Sequence, residues 1–196
     1  SAFIVEAGAS GLSLGQPEKK MGWKASDTRS VYFENMYVPA ANILGNPSQG
    51  FKQFLRTLTG GRITIGALSL GTAQGGYDAA LRYSQEREAF QKSINNFQGI
   101  SFKLSDMATE IEAAKHLVYH AAWLKDNGYD VIKEAAMAKL YASEMAMRVT
   151  TEAIQVHGGY GYIKEYDVER FFRDSKMLEI GEGTSEIQRI IIAREI

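Results

Sequence analysis

The 196-residue chain contains no cysteine, which removes disulfide frameworks, thiolate metal sites and thiol nucleophiles and leaves the redox compartment open. It also lacks a dominant charge. With 22 basic and 23 acidic side chains and a net charge of -1, no overall field draws it to nucleic acid or an anionic membrane. Binding a polyanion would need a local patch. No apolar run reaches the roughly 18 residues that span a bilayer, and no signal peptide opens the chain. Repeats and low-complexity tracts are absent too. What remains is a chain with 45% hydrophobic residues, enough for one large domain, or for a main domain with a smaller appendage, around a real core. Phe3-Ile4-Val5-Glu6 reads as a strand already under way, so a fragment of a longer protein is expected.

Residues 1–46 carry short apolar runs, Phe3 to Val5 and Val31 to Phe33, between Gly- and Ser-containing turns, the pattern of β structure. Val38-Pro39 and Gly45-Asn46-Pro47 mark the joint, because proline biases its predecessor away from helix. From residue 47 on, the apolar period lengthens to the helical value. Ile100, Leu104, Met107, Ile111, Ala114, Val118 and Ala121 make one stripe, ended by Asp126-Asn127-Gly128. Val131, Ala135, Ala138, Ala142, Met145, Val149 and Val156 make another, ended by Gly158-Gly159. Residues 51–88 read as a third long helix, whose Gly66, Ala67, Gly71, Ala73, Gly75 and Gly76 permit close helix approach. Gly60-Gly61 inside it costs about 1 kcal/mol per glycine, so a kink or a site is expected there. Two shorter helices are expected over 165–178 and 184–195. The fold class is mainly α: an antiparallel helical bundle over 47–196 behind a small β remnant over 1–46.

His116 and His120 stand four apart, a spacing that can share a metal, but only Glu112 offers a third ligand, so ordinary helix-surface residues are favoured. His157 sits where a helix ends and suits its terminal carbonyls. Gly158-Gly159-Tyr160-Gly161-Tyr162 closes a helix, whereas a Rossmann phosphate loop opens one. Arg87, Phe90 and Gln98 form a corner between two long helices. Arg62, a guanidinium beside Gly60-Gly61 in a small-residue helix, needs an anionic or carbonyl partner, and a structural ion pair is the alternative. The sharpest local signal is Gly181-Glu182-Gly183-Thr184-Ser185-Glu186. Thr184 or Ser185 caps the last helix, with Glu186 in its first turn. Glu182 is left over between two glycines, where a ligand can approach closely. It is either a general base or a solvated turn residue.

In order along the chain, several segments resemble the acyl-CoA dehydrogenase family. They are Lys20-Met21-Gly22-Trp23 to Thr28 with Val31-Tyr32-Phe33-Glu34-Asn35, Gly61-Arg62-Ile63, Arg87-Glu88-Ala89-Phe90 with Phe97-Gln98, Ala153 to Tyr162, Glu169-Arg170 with Arg173-Asp174, and Glu182-Gly183-Thr184-Ser185-Glu186-Ile187-Gln188-Arg189. The resemblance covers essentially the whole chain. It implies α,β-dehydrogenation of an acyl-CoA thioester, with Glu182 taking the pro-R α-proton while the β-hydride passes to FAD. It implies that Arg87, Phe90, Gln98, Gln155, Gly158 and Gly159 contact the FAD of a neighbouring subunit. Thr184 and Glu186 would contact the FAD of their own chain, and Arg62 and Gly183 the thioester.

A homotetramer built from dimers and an electron-transfer flavoprotein as electron acceptor follow by the same resemblance, and the bacterial cytoplasm is expected over the mitochondrial matrix because no transit peptide is visible. An acyl-CoA oxidase-like relative and a non-catalytic helical assembly module are the alternatives. Departures stand at Gly181, where many members have an aromatic residue, at Thr59, where an aspartate is common, at Gln91, where glycine is usual, and at Asp167, where proline is common. The family's N-terminal helical domain and the strands that hold the flavin ring are not in this sequence, so the expectation is weak or no FAD binding by this chain alone.

Overall fold

In the computed structural model, which describes residues 1–196, the chain divides into two units, Ser1–Leu58 and Thr59–Ile196. The first unit holds four short strands: β1 (Ala2–Phe3), β2 (Leu12–Leu14), β3 (Val31–Phe33) and β4 (Ile43–Leu44). β1 pairs antiparallel with β4, and β2 with β3 in the register Leu12 to Phe33 and Leu14 to Val31. Strands expected at 3–5 and 31–33 are thus present, the first shifted toward the chain start. β2 escaped sequence reading because Leu12-Ser13-Leu14 is too short to establish an alternation and, unlike Val31-Tyr32-Phe33, forms no continuous apolar run.

The long helix α1 (Gly50–Glu86) begins in the first unit and continues through the second. It runs through Gly60-Gly61 without interruption, so the glycines do not break it. Beyond it come a two-residue hairpin of β5 (Glu88–Ala89) and β6 (Lys92–Ser93), then α2 (Gln98–Asp126), α3 (Ile132–His157), α4 (Val168–Ile180) and α5 (Ser185–Arg194). Helix α3 is the hub, packing on α2, α4 and α5. Its inner side is rich in alanine, with Ala135, Ala138, Ala142, Ala146 and Ala153 fully buried, and small side chains let neighbouring helices approach. Of the expected stripe on α2, Leu104, Met107, Ile111, Ala114, Val118 and Ala121 are buried, while Ile100, in the first turn, is half-buried.

α1 joins the bundle at its glycines. A Cβ on Gly66 would lie 3.1 Å from Val118 Cγ2, and one on Gly75 would lie 3.1 Å from the Phe171 ring. Gly71 and Ala67 face outward instead, so not every small residue of the helix serves packing. The molecule is therefore a mainly α, antiparallel bundle with a β segment before it. No helix is long and apolar enough to cross a membrane.

Candidate active site

Helix α4 stops at Ile180, and α5 starts at Ser185, capped by Thr184, whose hydroxyl accepts from the Ile187 N–H at 3.4 Å. Between them the backbone must reverse sharply, and Glu182 and Gly183 do this with φ of 57° and 98°. For glycine that conformation is ordinary, whereas for a residue with a Cβ it costs roughly 1–3 kcal/mol. Such a position persists only where surrounding structure holds it, and here Gln188 does so. Its side-chain Nε2 donates to Gly183 O at 2.8 Å and to Glu182 O at 3.3 Å. The Glu186 carboxyl is held below the usual range by its own backbone N–H and the Thr184 hydroxyl, as suits the first turn of a helix.

The turn directs the Glu182 carboxylate onto α1. Its Oε2 lies 2.6 Å from where a Cβ on Gly61 would be, so the carboxylate occupies the space that this glycine leaves. Next to Gly61, Arg62 is 6% exposed and its Nε has no hydrogen-bond partner. Burial pulls the Arg62 guanidinium below its ordinary pKa, and the Glu182 charge partly offsets this. The anionic neighbour whose charge acts on this buried arginine is thus Glu182, and the buried guanidinium Nε stays unpaired.

A second cation lies behind the turn. Lys139 of α3 is fully buried and donates to Glu179 O, in the last turn of α4, at 3.0 Å. Burial lowers its ammonium to about 8 against the pull of Glu179, Glu144 and Glu186, and Arg62 lowers it further. Sequence reasoning passed over Lys139. The signal was its place four residues after Ala135 on the buried side of α3, where a charge is out of pattern.

At the other end of α1, Arg87, Gln155, Gly158 and Gly159 line a single cleft of about 520 Å³. Its wall is aromatic. Tyr83 stacks on His157 with ring centroids 4.3 Å apart, Tyr166 stands edge-on to Tyr83 at 5.9 Å, and Arg87 lies over Tyr160. His157 is buried, and its Nδ1 lies 2.8 Å from Ala153 O, so Nδ1 carries the hydrogen and donates to that carbonyl. Burial holds its pKa below the ordinary histidine value, against that hydrogen bond. Phe90 and Gln98 stand outside the cleft lining. Phe90 is at the tip of the β5–β6 hairpin, 91% exposed, with its ring edge-on to Phe97, and Gln98 opens α2.

The predicted residues therefore form two groups. Arg62, Glu182, Gly183, Thr184 and Glu186 gather near the start of α1's course through the second unit, and the others near its end. The helical rise puts Arg62 and Arg87 about 37 Å apart along the axis. His116 and His120 are exposed on α2, with His116 Nε2 3.4 Å from Glu112 Oε1, and no group of three metal-ligating side chains assembles around them.

Residues 48–196 match the family model described as "Acyl-CoA dehydrogenase, C-terminal domain". The short-chain-specific acyl-CoA dehydrogenase of Clostridium acetobutylicum is 48% identical over 196 residues, covering 100% of this chain and 52% of that protein. Butyryl-CoA dehydrogenase from Megasphaera elsdenii superposes with a TM-score of 0.97 at 47% identity, over 98% of this chain and 50% of that one. A chain in a structure of the electron transferring flavoprotein of Acidaminococcus fermentans also reaches a TM-score of 0.97, at 49% identity, over 98% of this chain and 51% of that one. The chain spans about half the length of the curated relatives it matches. On the sequence match and the shared fold together, the chain belongs to the acyl-CoA dehydrogenase family.

Proposed function

We propose that this chain, with residues 47–196 as its helical domain, is the catalytic-base half of an FAD-dependent acyl-CoA dehydrogenase. The reaction is the α,β-dehydrogenation of an acyl-CoA thioester to the trans-2-enoyl-CoA. The observation that carries this reading is the Glu182 carboxylate seated against Gly61 beside a buried arginine whose Nε has no partner. Glu182 takes the α-proton, breaking the C–H bond and leaving its electron pair on the α-carbon, from which it spreads onto the thioester carbonyl oxygen. Bound FAD supplies the acceptor for the β-hydride. An α-proton beside a thioester is only weakly acidic, so its removal requires a water-poor site and donors aimed at the carbonyl oxygen. The backbone N–H of Glu182 is such a donor in this reading. Gly183 keeps the approach to the thioester clear of side-chain bulk, and Arg62 lies along the thioester.

The residues at both ends of α1 fit a bound dinucleotide. Arg87, the Gln155 amide and the open backbone of Gly158-Gly159, which have no neighbours at their Cβ positions, offer donors to an anionic group. With the two groups separated by most of the helix, the Arg87 cleft would serve the FAD of a neighbouring subunit together with Phe90 and Gln98. Thr184 and Glu186 would serve the FAD of their own chain. Paired subunits follow from that division, and their arrangement as a tetramer of two dimers is carried over from the family resemblance. An electron-transfer flavoprotein as electron acceptor and the bacterial cytoplasm as location complete the proposal.

The test uses the full-length flavoprotein and follows the absorbance of bound flavin on mixing with acyl-CoA under nitrogen. Glu182→Gln should slow the bleaching by roughly 10²–10⁴-fold, the usual worth of a positioned base. Bleaching at the unaltered rate rules out Glu182 as the base and favours an assembly module. Rapid reoxidation by air after reduction favours an oxidase.

A further inference from the structure

Gln188 is fully buried and makes no use of its carbonyl oxygen, since Oε1 has no hydrogen-bond partner. A buried polar atom left unpaired is costly, and an apolar side chain of the same shape would avoid that cost. The orientation of the amide is set by its surroundings. Turned over, it would place its oxygen against the two carbonyls that now accept from Nε2, which is repulsive. Both N–H groups are therefore committed to one task. They hold the carbonyls of Glu182 and Gly183, the two residues with positive φ in the α4–α5 turn.

The rest of the turn is built around this amide. A Cβ on Gly183 would come within 2.9 Å of Gln188 Nε2, so glycine is needed there for the amide to reach as well as for its φ. The amide itself rides on α5, a helix anchored at its start by the Thr184 cap. A rigid element thus carries the group that grips the turn.

We infer that Gln188 is a positioning residue for Glu182: its carboxamide holds the left-handed turn, and with it the carboxylate, at the Gly61 position on α1. This rests on Glu182 being the base. Without the two hydrogen bonds the glutamate relaxes toward right-handed or extended backbone. The carboxylate then leaves Gly61, while Arg62 on α1 and the residues of the Arg87 cleft keep their places, and Gly183, which shares the turn, contributes only the absence of a side chain.

The experiment compares full-length flavoproteins bearing Gln188→Met and Gln188→Glu with the unaltered enzyme. Flavin content, acyl-CoA KM and the rate of flavin bleaching at saturating acyl-CoA are measured at several pH values. Gln188→Met should bleach roughly a hundred-fold more slowly, the effect of displacing a reacting group by about 1 Å, with flavin content and KM within about two-fold. Gln188→Glu should regain rate as the pH is lowered, because only the neutral carboxyl has an O–H to donate to the carbonyls, and Gln188→Met should show no such recovery. An unchanged rate in Gln188→Met, or a KM that rises in step with the loss of rate, overturns the assignment. If Gln188→Met does not fold, a Gln188→Glu rate that parallels the unaltered enzyme at every pH overturns it as well. Failure of the base assignment is seen separately, as normal bleaching by Glu182→Gln.

Discussion

Gly61→Ala should make the protein more stable and a worse enzyme. The new methyl would lie 2.6 Å from Glu182 Oε2 and 3.0 Å from Cδ. To restore ordinary van der Waals separation the carboxylate must retreat by about 1 Å. It is the free end of a flexible side chain, so the retreat is cheap for the fold. Alanine meanwhile gains about 0.8–1 kcal/mol over glycine inside a helix. The relatives are about twice the length of this chain, so in the full-length protein about 1 kcal/mol corresponds to a rise in Tm of roughly 1–2 °C. A base displaced by about 1 Å loses on the order of 100-fold in rate. The assay pairs calorimetric or circular-dichroism melting with the rate of flavin bleaching at saturating acyl-CoA in the full-length protein. An activity that survives the methyl unchanged would show that the carboxylate does not work from the Gly61 position. A drop in both Tm and activity would mean that Gly61 serves packing, and the argument would fail in the other direction.

Two further outcomes follow from strained or buried groups. Phe90 and Gln91 form the two-residue turn of the β5–β6 hairpin with φ of 50° and 65°, a turn that favours glycine at its second position. Gln91→Gly should therefore raise stability by about 1 kcal/mol, read as a higher urea midpoint at unchanged slope, and a lower midpoint would refute it. Lys139 has its ammonium lowered to about 8 by burial, from an ordinary value of 10.5. Between those values the unfolded chain carries the proton and the folded chain does not, so stability rises with pH across that window, by up to about 1.4 kcal/mol per unit. Below about 8 both states are charged and the burial cost is fully present. Urea unfolding from pH 7.5 to 10 should show this rise, and Lys139→Met should remove it; parallel curves for the two proteins would contradict the explanation.

The helices were legible because each long one buries a single face, and a repeat near three and a half residues survives in the order of apolar side chains. Met107, Ile111, Ala114 and Val118 could be named as interior from spacing alone, and they are. The cap of α5 could be narrowed to Thr184 or Ser185 because the signal is local, a hydroxyl before the first turn, and the structure uses Thr184. Glu182 stood out for a negative reason, since neither the cap nor the turn required it.

What joins these pieces was not legible, because it depends on residues distant in sequence meeting in space. Gly60-Gly61 marked a kink or a site in the sequence, and only the fold put a carboxylate in the room that Gly61 leaves. Arg62 needed a partner that sequence could not specify, and Lys139 and Gln188, which sequence reading passed over, donate to backbone carbonyls around Glu182. By itself the sequence determined which faces are apolar, where helices stop and which family the chain resembles, all consequences of near-neighbour chemistry. Only tertiary packing decided which buried donor meets which carbonyl, because that choice is made by helix crossing and depth, and these have no signature in a linear pattern.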